Sequence, residues 1–242
     1  METLTRTVLE PVRRELTSYL CRMVLRPHVA EEIAQSTFVR ALEFSDSLPR
    51  ETERIRAWIF RVATNLAIDE LRRHSNWREH LVEDLRSTAE ASAEFVAQSR
   101  AMIGTPEAKT IAREHLVACF ACTLKNLSEE RAASLLLKEV HGFTVAEVAE
   151  ILGATGFQIK NWLQEARATM SATYDSTCAL IRKEGVCHQC AELDGFMGAR
   201  QGSPLPAGAG SLESRIAIVR KAAEHGWGTW HRRLFDLLDD IR

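Results

Sequence analysis

The sequence predicts an all-α protein: two small helical domains joined by a flexible linker, followed by a C-terminal helical extension. Three observations predict it. Apolar residues recur at spacings of three and four with little strict alternation. A stretch rich in Ser, Ala and acidic residues, about Trp77 to Thr105, interrupts that period and closes on Gly104-Thr-Pro106. A second, Gly- and Pro-rich connector runs from Gly198 to Gly210. A chain of 242 residues has room for two domains and an appendage. The divisions that follow are 1–78, a linker at 79–106, a second domain at 107–174 and an extension at 175–242.

Composition narrows the function classes. A hydrophobic fraction of 45% suits folded domains, and no run of eighteen apolar residues exists to span a bilayer. The start, Met-Glu-Thr-Leu-Thr-Arg, carries charges where a secretory signal needs an apolar stretch, so a cytoplasmic location without membrane insertion is expected. A net charge of -2 gives no overall attraction to DNA, which leaves local patches to supply it. One such patch exists between Arg50 and Arg78, where arginines outnumber carboxylates; Glu83, Asp84, Glu90 and Glu94 dominate just beyond. The chain has no GxxxxGK[ST] loop, GxSxG elbow or HExxH helix, and it reads as a non-enzyme.

Along the chain, Ile33, Thr37, Phe38, Ala41 and Leu42 form one apolar stripe of a helix over 31–43, leaving Glu31, Glu32, Gln35, Ser36 and Arg40 outside. Pro49 in Asp46-Ser-Leu-Pro49 ends that region, because proline cannot continue the hydrogen-bond ladder. A loop to about Ile55 precedes a long helix over 57–74 with Trp58, Ile59, Val62, Ala63 and Leu66 inward, while Arg61, Asn65 and Asp69 repeat every four residues outside. The spacing predicts another helix over 107–124. Ser128 then reads as an N-cap, followed by two carboxylates that the helix dipole favours.

The segment Phe143-Thr-Val-Ala-Glu-Val-Ala-Glu-Ile-Leu-Gly-Ala-Thr155 reads as a helix-turn-helix: Thr144 caps a short helix, and Gly153-Ala-Thr155 turns into a reader helix over 156–170. Ile159, Leu163 and Ala166 face inward. Thr155, Gln158, Lys160, Asn161, Gln164 and Arg167 are left for duplex DNA, the amides for adenine edges and the cations for phosphates.

Two runs, Ala30-Glu-Glu-Ile-Ala-Gln-Ser-Thr-Phe-Val-Arg-Ala41 and Arg56-Ala-Trp-Ile-Phe-Arg-Val-Ala-Thr-Asn-Leu-Ala-Ile-Asp-Glu-Leu-Arg-Arg73, followed at this separation by the helix-turn-helix, resemble regions two and four of the extracytoplasmic-function (ECF) class of bacterial sigma-70 factors, over roughly residues 8 to 172. The resemblance implies a polymerase subunit that directs core RNA polymerase to promoter DNA and helps to open it. It implies that Glu31, Glu32, Gln35, Ser36 and Arg40 dock on the clamp helices of the polymerase largest subunit and that the second domain meets the flap. It further implies that Arg54, Arg56, Arg61, Asn65, Arg72 and Arg73 serve minus-ten recognition and melting, and that the reader helix serves the minus-thirty-five element. Trp162 and Glu165 stand where the family commonly carries basic residues, a departure in the reader helix. An anti-sigma factor or other regulatory protein is a further candidate partner. The rival readings are a helix-turn-helix regulator working without polymerase, which leaves residues 30–73 unexplained, and a core-binding adaptor taking its promoter address from another factor.

Six cysteines in a cytosolic chain should stay reduced, with Cys21, Cys119 and Cys122 as small buried thiols. Cys187-His-Gln-Cys190 is half of a zinc-ligand pattern that Cys178 with His188, His225 or His231 would complete; packing thiols and redox sensing are the alternatives. No cofactor is required by the function, so zinc is a candidate for the extension alone. Beyond it, Leu212, Ile216, Val219 and Ala223 mark one helix and Trp230, Leu234, Leu238 and Ile241 another, with a turn at His225-Gly-Trp-Gly228.

Overall fold

The computed structural model describes residues 8–49, 51–74, 108–177 and 211–225, with isolated helical residues at 91–94, 97 and 232. The described residues are helical and contain no strand. In chain order they form α1 (Glu10–Val24), α2 (Pro27–Glu43), α3 (Thr52–Arg73), α4 (Ala108–Thr123), α5 (Glu129–Leu135), α6 (Val145–Leu152), α7 (Gly156–Thr177) and α8 (Leu212–Lys221). The linker, the segment holding Cys178, Cys187 and Cys190, and the turn and helix expected after His225 lie outside the described residues.

Contacts group the chain into two compact units that do not follow chain order. The first comprises 1–75, 127–167 and 220–226; the second comprises 76–126, 168–219 and 227–242. The expected helix-turn-helix and the expected first domain thus share one body.

In that first unit, α1, α2 and α3 form a three-helix bundle. Pro27 starts α2 at a position where its missing N–H costs nothing. Leu25, fully buried, turns α1 into α2 through a left-handed backbone (φ 60). The stripe expected on α2 holds: Ile33, Thr37, Phe38 and Ala41 are buried and Leu42 is half-buried, with the Thr37 hydroxyl donating to the Ile33 carbonyl at 2.8 Å.

The long helix α3 starts at Thr52, earlier than its apolar period suggests. Leu48 before the proline is extended (φ -65, ψ 149) and so is Glu51 (φ -78, ψ 131), so the direction change is complete by residue 51. Arg54 and Arg56 are therefore helical, not loop residues. The buried face is also rotated relative to expectation. Ile59 and Ala63 are buried as read, together with Ile55, Phe60, Thr64, Ala67, Ile68 and Leu71, whereas Trp58, Val62 and Leu66 are only half-buried. The cause is a second layer: α6 and α5 pack on α3 and turn a one-sided helix into a nearly two-sided one.

Ser128 caps α5, accepting from the Arg131 amide at 3.5 Å. The helix then widens into a π turn, Leu136–Val140. Gly142 (φ 75) and Gly153 (φ 62) adopt the left-handed backbone that ends each short helix at little cost only for glycine. Thr144 and Glu147 form a reciprocal capping box: Thr144 N donates to Glu147 Oε2 at 2.7 Å and Glu147 N donates to Thr144 Oγ1 at 3.2 Å. The reader helix α7 continues to Thr177, past the expected Met170.

The bundle and the helix-turn-helix meet at a cluster of mixed chemistry. Phe60, fully buried, lies 4.9 Å from Phe143 and 5.3 Å from Tyr19 between ring centroids. Arg56 places its guanidinium 3.9 Å from the Phe143 centroid, donates from Nη2 to Glu15 Oε1 at 2.5 Å and from Nε to Oε2 at 3.0 Å, and donates to the His141 carbonyl at 2.8 Å. His141, itself buried, sits 3.1 Å from Glu15 through Nδ1. Thr64 donates to the Phe60 carbonyl at 2.6 Å, so its oxygen accepts the Tyr19 hydroxyl proton at 2.8 Å. Burial alone would raise the Glu15 pKa; hydrogen bonds from His141 and Arg56 and their charges outweigh it and lower it from 4.5 to about 2. Burial holds His141 below its ordinary 6.5.

A third piece closes this unit. Arg22 on α1 is 1% exposed and donates to the carbonyls of Ser18 (2.9 Å), Ala222 (2.8 Å) and His225 (3.2 Å), while the Ser18 hydroxyl donates to the His225 carbonyl at 2.7 Å. Arg22 thus satisfies carbonyls where the chain leaves helical form after α8. Burial lowers its pKa only to about 10, so it is charged at neutral pH. On the other side of the segment, Arg220 Nε donates to the Glu139 carbonyl at 2.7 Å.

In the second unit, Leu116 and Phe120 of α4 are fully buried, as are Met170 and, nearly so, Tyr174 on the continuation of α7. Arg215, also buried, lies over the Tyr174 ring at 4.0 Å and within 3.5 Å of Cys119 Sγ. Cys21, Cys119 and Cys122 are buried and in no disulfide. Leu212, Ile216 and Val219 are buried as read from the sequence, and Ala223 is half-buried.

Two expectations follow from this packing. Unfolding of the first unit is acid-sensitive in two windows. The unfolded chain takes up the His141 proton below about pH 6.5 while the folded chain refuses it, so that contribution is complete above 6.5 and declines as pH falls. The Glu15 contribution is complete above 4.5 and is lost as pH falls toward about 2. Urea midpoints measured against pH should show both, and His141→Gln should flatten the upper window. Glu15→Gln should flatten the lower one and cost about 2 kcal/mol at neutral pH, since it leaves Arg56 without its carboxylate. Arg22→Met should leave the Ala222 carbonyl without its Arg22 donor and the His225 carbonyl with that of Ser18 alone; faster amide exchange and proteolytic nicking at 220–225, with the bundle amides less affected, is the expected readout.

Candidate nucleic-acid interface

Three exposed faces carry the residues singled out by sequence. On α2, Glu32, Gln35, Ser36 and Arg40 are exposed and Glu31 is half-buried. The helix places Glu32, Gln35, Ser36 and Val39 on one side, and Val39 is 53% exposed; Phe44, just past the helix end, is 55% exposed. Neither apolar residue was expected in this face. Their signal is that both fall off the buried stripe of α2.

On α3, Arg61 and Asn65 are exposed one turn apart, with Asp69 below them. The other arginines differ in availability. Arg54 is exposed. Arg72 is exposed but pairs with Glu130 at 2.7 Å, and Arg73 approaches Glu70 at 3.4 Å; pairs this open to water are weak and exchange readily for phosphate. Arg56 stands apart, fixed by Glu15, the His141 carbonyl and the Phe143 ring. Phe60, a stacking candidate by residue type alone, is fully buried and not placed to meet a base.

On the reader helix, Ile159 and Ala166 are fully buried and Leu163 is 9% exposed, the stripe read from the sequence. Gln158 is placed differently from expectation. Its Oε1 accepts from Thr155 N and Thr155 Oγ1, both at 2.9 Å, and its amide donates back to Thr155 Oγ1 at 3.2 Å. That is a second capping box, immediately after the one at Thr144. It engages the Gln158 side-chain oxygen and the Thr155 hydroxyl, two of the groups the sequence offered to DNA. Arg167 is likewise paired, with Glu139.

Glu165, the departure noted in the sequence, pairs with Arg131 at 2.5 Å on the scaffold helix α5. With the Arg167–Glu139 pair it ties the reader helix to its support at two points. The outward face that remains is Lys160, Asn161 and Gln164, all exposed, headed by Phe157 at 73% exposure. Phe157 was missed because an apolar residue beside the inward Ile159 reads as core from sequence.

Among the described residues no cluster of three or more His, Cys, Asp or Glu side chains is arranged to hold a metal ion. The cysteine segment is outside those residues. No described helix is long and apolar enough to cross a membrane.

Comparison with known proteins bears on these faces. Residues 8–77 match the model of sigma-70 region 2, and residues 118–170 match the model of sigma-70 region 4. Among curated relatives, the ECF RNA polymerase sigma factor SigG of Mycobacterium tuberculosis is 30% identical over 179 residues, covering 69% of this chain and 48% of SigG. The ECF sigma factor SigW of Bacillus subtilis is 26% identical over 157 residues, covering 62% of this chain and 79% of SigW. The ECF sigma factor SigL of M. tuberculosis is 28% identical over 163 residues, covering 65% of this chain and 81% of SigL. The chain spans about half the length of the SigG proteins it matches, 48%. The solved structure of the sigma factor RpoE in complex with the anti-sigma factor NepR from Bartonella quintana aligns at a TM-score of 0.47 and 18% identity, over 72% of this chain and 96% of that one, a likeness too loose to argue from. With region 2 on the helices that carry the α2 and α3 faces, and region 4 on the helix-turn-helix, the chain belongs to the sigma-70 family.

Proposed function

We propose that the chain is an RNA polymerase sigma subunit that directs core polymerase to promoters and assists strand opening. The observation that carries the reading is the pairing, in one chain and in family order, of region 2 and region 4 with solvent-facing side chains suited to each task. The α2 face mixes carboxylate, amide and two exposed apolar groups, the composition expected of a protein-binding surface, not of one that binds phosphate. Core polymerase is the partner for that face. The α3 face, with Arg54, Arg61, Asn65, Arg72 and Arg73, supplies cations for the backbone and an amide for a base edge that has left the stack. The reader face suits duplex DNA at the upstream element. Polymerase supplies the phosphoryl chemistry.

The compact first unit adds a step. Arg56 cannot reach phosphate while it holds Glu15, the His141 carbonyl and the Phe143 ring. Engaging promoter DNA through Arg56 therefore requires region 4 to swing away from α3 and Glu15 on α1 to give up its pair, and the remaining cations of α3 act without that step. The cysteine segment is a candidate zinc site by its CxxC spacing alone, which metal analysis of Cys187→Ser with Cys190→Ser against the parent chain settles.

Two measurements check the reading. Glu32→Lys with Gln35→Lys should abolish capture of core polymerase in a pull-down while leaving the melting temperature unchanged; retained capture removes α2 as the docking face. Arg61→Ala with Asn65→Ala should keep polymerase capture but lower promoter opening about ten-fold or more, by loss of one charged and one amide contact. Permanganate reactivity of unpaired thymines reads this directly, and unchanged reactivity removes α3 from the melting step.

A further inference from the structure

The reader helix carries an outward stripe of mixed chemistry. Beside Gln158, which is capped through Oε1, and the surface ion pairs of Glu165 and Arg167, that stripe consists of Phe157, Lys160, Asn161 and Gln164, at helical positions i, i+3, i+4 and i+7. Phe157 is 73% exposed, the highest among the exposed large apolar side chains of the described residues, and it stands on the first turn of the helix. A benzyl group held in water has no structural return, and none of the described residues covers it. First-turn residues of a helix-turn-helix reader are those that reach base edges in the major groove.

We propose that Phe157 is a specificity-determining residue that reads the C5-methyl group of thymine in the upstream promoter element, with Asn161 on an adjacent adenine edge. The proposal rests on the sigma reading above and adds what the reader helix prefers. The major-groove edge of thymine is the one base edge that offers an apolar group, and a phenyl ring is a documented class of partner for it. Asn161 lies one turn further along the same face and can accept and donate to adenine at N6 and N7. Lys160 beside it is placed for phosphate, which positions the helix without reading sequence. A stripe of one aromatic, two amides and one ammonium offers the thymine methyl and the adenine edge their partners, which favours A·T steps. The capping box bears on this as well: by fixing Thr155 and Gln158, it holds the backbone under Phe157 in one conformation, so the ring arrives preorganised.

The test uses the full chain bound to core polymerase. A duplex library randomised upstream of a fixed minus-ten region is selected with this complex, and each thymine of the enriched upstream element is then replaced by deoxyuridine, which removes only the methyl group. The parent complex should lose about four-fold in affinity at one or two positions, the worth of one buried methyl. Phe157→Ala should bind the thymine duplex about as weakly as the parent binds the deoxyuridine duplex and be indifferent to the replacement, with Phe157→Leu partly restoring the difference. Because the side chain is exposed, the melting temperature of Phe157→Ala should match the parent. A parent complex indifferent to every methyl, or an alanine variant that remains as sensitive as the parent, overturns the assignment of Phe157 while leaving the sigma reading intact. Selection that enriches no upstream element at all removes the underlying reading of the helix, and the assignment with it.

Discussion

One guanidinium joins the two halves of this protein that its sequence keeps more than seventy residues apart. Arg56 leaves the long region 2 helix, takes both oxygens of Glu15, caps the carbonyl of His141 and lies on the ring of Phe143. Each contact alone is modest: a cation–π contact is worth roughly 1 kcal/mol and a charged hydrogen bond roughly 2. Their coincidence on a planar, forked group is what gives the interface one geometry, because an arginine cannot satisfy a carboxylate, a carbonyl and an aromatic face at once in many ways. The aromatic layer around it, Phe60, Phe143, Tyr19 and His141, supplies the area, and the polar groups supply the register.

The interface thus combines an aromatic layer with a polar register, a balance that suits the parting proposed above. Separating it returns Glu15, Arg56 and the His141 backbone to water, where all three are well solvated, so the polar share of the contact costs little to break. A wholly apolar seam of the same size would lack that outlet. The penalty falls on Phe60 and Phe143, which would be left partly exposed unless promoter or polymerase covers them. Binding energy from those partners is therefore the natural source of the opening work, and a partner that does not bind the open form more tightly cannot shift the equilibrium.

Much of this was legible in the sequence, for identifiable reasons. Helix starts at Ser128 and Thr144, the turn at Gly153 and the buried stripe Ile159, Leu163, Ala166 depend on near neighbours, and local rules find them. The α2 stripe is likewise a matter of period. Errors began where a second layer intervened. Periodicity on α3 pointed to Trp58, Val62 and Leu66, but packing of α5 and α6 rotated the buried face toward Phe60, Thr64 and Ala67. The same limit explains the reader helix. Residue type marked Gln158 and Arg167 as outward groups but could not show their intramolecular partners, Thr155 in the adjoining turn and Glu139 elsewhere in the first unit. Glu165 looked like a defect of the reader helix because its partner Arg131 lies on another helix, and no spacing rule connects the two.

The extension illustrates the other direction, in which structure gives a role to residues the sequence left unassigned. Residues 220–225 are short and polar, yet they touch both halves of the first unit: Ala222 and His225 offer carbonyls to Arg22 on α1, and Arg220 donates to the carbonyl of Glu139 beside the scaffold helix. Glu139 at the same time accepts from Arg167 of the reader helix. A carboxylate shared between two arginines from different segments couples the placement of the reader helix to the placement of the extension, since losing either cation strengthens the pull of the other. A buried arginine whose described partners are carbonyls and a hydroxyl does the corresponding work on α1, and it does so with acceptors that the segment presents only when folded. The extension thereby adds charge-assisted hydrogen bonds at both ends of this contact, from Arg22 to the carbonyls of Ala222 and His225 and from Arg220 to that of Glu139.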